Sequence, residues 1–146
     1  MNSTKTLPQF VILRHEIGSE FERTDKAHFD WMFEMRGKLQ TWSTAPINLN
    51  ENTEIDAEKL EDHRIEYLDF EGEISGNRGV VTQVAQGSYT PTDETEDLFV
   101  ATLNMRDRSL QTELAVKTTF YRNLPSEDFP EEGKLAVWRL RFEPGR

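Results

Sequence analysis

Residues 27–34 read AHFDWMFE, and this stretch constrains the fold more than any other. In a β-strand, successive side chains point to opposite sides. Phe29, Trp31 and Phe33 then share one face, and His28, Asp30, Met32 and Glu34 share the other. The aromatic stripe predicts a core. The opposite face sets an imidazole beside two carboxylates. A second alternating run lies near the C-terminus, where Leu135, Val137, Arg139 and Arg141 oppose Ala136, Trp138, Leu140 and Phe142.

Other segments fit the same pattern. FVIL at 10–13 is a short β-branched run suited to a buried strand. Arg36-Gly37-Lys38 reads as a tight turn joining a strand at 28–36 to KLQTWST at 38–44. GVVTQVAQGSY (79–89), LFVATLNM (98–105), LQTELAVKTTFYR (110–122) and KLAVWRLRF (134–142) read as further strands, and EYLDFEGEI (66–74) ends in Gly and Ser signals. Residues 16–27 and 45–53 read as loops. Thr53 with Asp56 three positions on resembles a capped start, which predicts one short helix near 54–61. The expected fold is mainly β: a compact closed or nearly closed β-barrel of about eight strands with one short helix, or else a sandwich. Closure has a physical motive, because it removes exposed strand edges. Trp42 and Trp138 are expected in the core.

The chain has 146 residues, which suits one domain spanning 1–146. Hydrophobic residues make up only 36%, but nine Phe, three Trp and three Tyr supply large buried areas. The absence of cysteine excludes disulfides and thiolate metal sites, and it fits a reducing, cytoplasmic setting. No apolar run is long enough for a membrane helix, and MNSTKTLPQF carries no apolar signal region, so neither membrane insertion nor export is expected. The formal net charge of −10 argues against broad, non-specific nucleic-acid binding, which needs neutralised phosphates. Acidic residues gather at 51–62, 93–97 and 127–132, which read as solvated loops or helix starts.

The three histidines are His15, His28 and His63. On a strand, His28 and Asp30 project side by side and can grip one ion. A third ligand must come from elsewhere, and His15 and His63 are the imidazoles available. Two nitrogens and one carboxylate oxygen suit a borderline divalent ion such as Mn, Fe or Zn. The competing reading is a solvated surface pair. Glu34 reads as solvated or paired with a nearby Lys or Arg.

FVILRH (10–15), AHFDWMFE (27–34), LQTW (39–42), LEDHRIEYLDFEGEI (60–74) and QGSY (86–89) together resemble, in order and spacing, the 3′-phosphoesterase domain of bacterial DNA ligase D. The resemblance is clear over residues 9–90, while 91–146 agree in being strand-rich. It implies a compact β-barrel and a manganese-type site formed by His15, His28 and Asp30. It also implies a catalytic histidine at the scissile phosphate, His63, and a nearby tyrosine, Tyr67. The implied activity is removal of 3′-phosphates or 3′-ribonucleotides from DNA or primer ends before a DNA ligase acts.

The departures are specific. Met32 stands where the family commonly has Arg, and Met offers no donor to a phosphate. Ser43-Thr44-Ala45-Pro46-Ile47 follows Trp42 where the family carries Lys. The basic arm before the first strand is reduced to Lys5, and no ligase or polymerase domain is present, which reads as a stand-alone form. Arg14, Arg64 and Arg78 are the residues that could restore charge, with Arg14, Arg64 and Tyr67 taken as substrate-binding. The alternative expectation is a catalytically weakened relative that binds a metal or a nucleic-acid end. A third is a non-haem iron oxygenase, because His28-x-Asp30 with a distant His63 also fits a facial triad.

Overall fold

The computed structural model describes residues 7–16, 27–74, 79–107, 113–123 and 137–144. Its strands are β1 (Gln9–Glu16), β2 (His28–Met35), β3 (Lys38–Thr44), β4 (Thr53–Lys59), β5 (His63–Arg64), β6 (Gly72–Ile74), β7 (Gly79–Thr95), β8 (Leu98–Asp107), β9 (Glu113–Asn123) and β10 (Val137–Glu143). Eight of them form a ring in the order β1-β2-β3-β4-β10-β9-β8-β7, and β7 pairs back onto β1. Every pairing is antiparallel. The expected closed, mainly β barrel is therefore what forms. Short β5 hangs on β3, and β6 on β7. Among the described residues, no helix is long and apolar enough to cross a membrane.

Two residues with positive φ, Arg36 (54°) and Gly37 (81°), join β2 to β3, and their twist matches that of the strands. The register then follows from alternation. Phe29, Trp31 and Phe33 face the lumen opposite Thr44, Trp42 and Gln40 of β3. An eight-stranded barrel leaves just enough interior for side chains, and aromatics fill it. Trp42 stacks on Phe120 with centroids 4.3 Å apart, and Phe33 meets Phe99 edge-on at 5.0 Å. Trp31 Nε1–H donates to Thr44 Oγ1 at 2.9 Å, and the Tyr89 hydroxyl donates to the Glu34 carbonyl at 2.7 Å. Burial, aided by Glu94 and Glu34, pushes the Tyr89 phenol up to about 12. Trp138 is half-buried and packs edge-on against Trp42.

The short helix expected near 54–61 is instead strand β4, and the helical turn lies later, a 3-10 turn at Ile65–Leu68. Thr53 caps nothing, since its hydroxyl donates to the Glu51 carbonyl. The strand pattern wins because Ile55 and Ala57 face the barrel while Glu54, Asp56 and Glu58 are exposed. Arg139 and Arg141 of β10 meet Asp56 and Glu54 across the ladder. A helix would have left the β10 edge open. The β3–β4 seam remains short, with Trp42↔Lys59 and Ser43↔Glu58 the paired residues, plus a bond from Leu60 N–H to the Thr41 carbonyl.

The outer face of β1–β3 is not uniformly polar. Val11, Leu13, Met32, Leu39 and Val81 form a second buried cluster covered by Ile65, Tyr67, Leu68 and Phe70. Met32 is 1% exposed. Glu34 accepts the backbone N–H of Gln9 at 2.9 Å, in place of the expected solvent or cationic partner. The acidic group at 93–97 sits at the β7–β8 turn as expected. The loop at 16–27 falls almost wholly, and the 127–132 acidic group entirely, outside the described residues, as do Lys5 and Arg78.

Phe33 touches aromatics on several strands, so Phe33→Ala is expected to lower stability by about 3–5 kcal/mol. Denaturant unfolding should show this as a lower midpoint with an unchanged slope.

Candidate metal centre

Antiparallel pairing sets His15 opposite His28 and Leu13 opposite Asp30. Directly opposed residues share a face, so both imidazoles and the carboxylate leave the sheet on its outer side, at the end of β1 and the start of β2. His15 Nδ1 lies 3.1 Å from His28 Nε2 and 3.8 Å from Asp30 Oδ2. His28 Nε2 lies 3.2 Å from Asp30 Oδ1. Two ligand atoms at right angles, each about 2.1 Å from one ion, stand about 3.0 Å apart, and these separations are close to that. Asp30 is 5% exposed, and its buried Oδ1 makes no hydrogen bond of good geometry, with His28 Nε2 as its neighbour at 3.2 Å. Such an oxygen is costly to bury unless something compensates it. The donor set and this buried carboxylate oxygen both fit a divalent cation, and in its absence a protonated His28 takes the cation's place.

Among the described residues, His15, His28 and Asp30 are the His, Asp and Glu side chains close enough together to share an ion. His63 is not among them. It pairs with Leu39 on β3, four residues from Ser43, the partner of Asp30, which is about 13 Å of strand. His63 shares the outer face with the cluster but stands at its other end. Its Nδ1–H donates to the Glu61 carbonyl at 2.9 Å, which leaves Nε2 as the outward atom, and its ring meets Tyr67 edge-on at 5.7 Å. Tyr67 is half-buried against the cluster that holds Met32. Arg14 lies on the lumen side by alternation, with its guanidinium 3.5 Å from Glu16. Arg64 is exposed at the head of the 3-10 turn. Neither arginine is brought to the cluster.

Glu58 is a neighbour that the sequence did not reveal. Register places Asp30, Ser43 and Glu58 in one outward row across β2, β3 and β4. The contact with Asp30 holds His28 above the usual imidazole range, burial opposes it, and the charges of Asp30 and Glu58 add to the rise. Reading 54–61 as a helix hid this row. Alternation of Ile55 and Ala57 against Glu54, Asp56 and Glu58 was the available signal.

The raised His28 gives a signed expectation. Without an ion, protonated His28 pairs with Asp30. That stabilisation is full below the unfolded-chain value near 6.5 and fades as pH rises through the higher native value. An ion reverses the sign, because it takes neutral imidazoles. Between about pH 6 and 8, Tm should fall with rising pH in chelator and rise with pH at fixed manganese. Parallel curves would show that no ion competes for His28.

No match was found among curated proteins. The family model of the DNA ligase D 3′-phosphoesterase domain matches residues 21–138, a span that includes His28, Asp30, His63 and Tyr67 and begins after β1. His15 lies outside the matched span, at the end of β1 opposite His28. With most of its length matched, the chain belongs to the DNA ligase D 3′-phosphoesterase domain family.

Proposed function

We propose that the chain is a metal-dependent phosphoesterase that trims the 3′ ends of DNA or RNA primers, removing a 3′-phosphate or 3′-ribonucleotide during DNA repair in the cytoplasm. The observation that carries this reading is the convergence of His15 Nδ1, His28 Nε2 and the Asp30 carboxylate within 3.1–3.8 Å, with one Asp30 oxygen buried and without a hydrogen bond of good geometry. These three groups would hold the ion, with manganese first and zinc or iron compatible with the same donors. Such an ion supplies Lewis-acid polarisation of a phosphoryl oxygen. A DNA ligase sealing the trimmed end is the partner this activity implies.

The chain's own residues do the rest. His15 and His28 ligate in neutral form, so Asp30 supplies the one negative charge among the three ligands. His63 has Nδ1–H committed to Glu61, so it engages substrate through Nε2. Protonated, that atom donates to a phosphate oxygen or a leaving group. Its place at the far end of the face suits a strand lying across the Ile65–Leu68 turn that covers Met32. An end-binding relative with weak catalysis is the second reading. Met32 favours it, because it is buried beneath the 3-10 turn and offers a phosphate nothing. One missing donor at a preorganised anionic site slows catalysis about 10²–10³-fold, so trimming is expected to be slow.

A labelled primer ending in a 3′-phosphate or a 3′-ribonucleotide tests both readings. Trimming should require manganese, stop with chelator, and be lost in His28→Ala and Asp30→Asn. Metal binding without trimming would favour the second reading. His63→Ala separates two roles: a drop in kcat places His63 at the reacting phosphate, and a rise in KM alone places it on a neighbouring one.

A further inference from the structure

Gly79 opens β7 beside the end of β1, where His15 pairs with Val81 and Glu16 with Val80. Its φ is +113°, which other residues rarely adopt. A Cβ built on it would lie 2.0 Å from the Glu16 carbonyl oxygen and 3.0 Å from His15 Nε2. Gly79 therefore backs the edge of the imidazole that points away from His28 and Asp30.

Resting on the metal-site reading above, we infer that Gly79 is a positioning residue for His15: its bare Cα seats the Nε2 edge of the ring and so aims Nδ1 at the ion. A methyl group there has two obstacles. The Glu16 oxygen is backbone, held where β1 pairs with β7. The ring is a side chain and yields more easily. At 3.0 Å the ring must give by a few tenths of an ångström, whereas ligand distances in a working site hold to within about 0.2 Å. The displacement exceeds that tolerance, so the part of the strain that the ring takes up falls on the ligand. Hydrogen-bonding partners behind metal ligands change affinity by about 10–100-fold, and displacing the ring itself is expected to have an effect of that order.

The same strand supplies a control. Gly87 has φ +156°, and its Cβ would lie 1.9 Å from the Asn104 carbonyl oxygen, but Phe10 is the nearby side chain and no ligand is touched. Gly79→Ala and Gly87→Ala meet similar backbone obstruction, and only the first presses on His15.

Zinc affinity measured by calorimetry, on variants shown folded by circular dichroism, tests the assignment. Gly79→Ala should weaken zinc binding about 10–100-fold, and Gly87→Ala should leave it near wild type despite a lower Tm. In a His15→Ala background, Gly79→Ala should add no further loss. A folded Gly79→Ala with wild-type affinity, or equal losses in both glycine variants, would overturn the inference. If Gly79→Ala does not fold, nitrogen NMR of the wild-type histidine rings decides. Zinc should shift Nδ1 of His15, and ligation through Nε2 would overturn the inference. A wild-type protein that takes up no zinc or manganese would instead sink the metal site itself.

Discussion

Everything in this protein depends on the register between β1 and β2. Strand side chains repeat every two residues, so a slip of one position exchanges faces. Here that slip would turn Phe29, Trp31 and Phe33 outward and send His28 and Asp30 into a lumen packed with aromatics. Burying an unpaired carboxylate there is prohibitive. Core and cluster thus enforce the same alignment, and the Arg36–Gly37 turn fixes its neighbour, β2 on β3. The barrel then holds three candidate ligand atoms close together without help from a long loop among the described residues. Rigid strands are precise supports for such a cluster.

The outer face has a polar end and an apolar middle. His15, His28 and Asp30 occupy the polar end, with Glu58 adding negative potential two strands away in the same row as Asp30. Met32, Leu39, Val11 and Val81 make the middle, roofed by the segment from Ile65 to Phe70. If this face takes the proposed nucleic-acid strand, it does so on a chain of net charge −10. Affinity on such a surface would come from the end-group chemistry and from ring contacts, with counterion release contributing little.

The barrel and most of the cluster were legible in the sequence because both rest on a local signal, the two-residue repeat. FVIL, HFDWMF and VWRLRF state which faces are buried without reference to the rest of the chain. Two other features depend on distant partners and were not legible. Thr53 and Asp56 carry the same local signature at a helix start as in an exposed strand, and the Arg139 and Arg141 ladder of β10 decides between them. Spacing alone left His15 and His63 equivalent as third ligands. The resemblance pointed to His15, and pairing agrees, since His15 faces His28 while His63 faces Leu39. Met32 looked polar-facing because nothing nearby announces that Ile65–Leu68 folds over it.

The brief β3–β4 seam has a dynamic consequence. β1 is clamped along its length by β2 and β7, whereas β3 and β4 share two paired positions and one extra backbone bond. Opening free energies in a folded protein vary with local contact, so the cylinder unzips first along this line. Amides beside Trp42 and Lys59 are then the early exchangers. Such breathing would carry Glu58 away from the imidazoles while leaving the ligands themselves undisturbed.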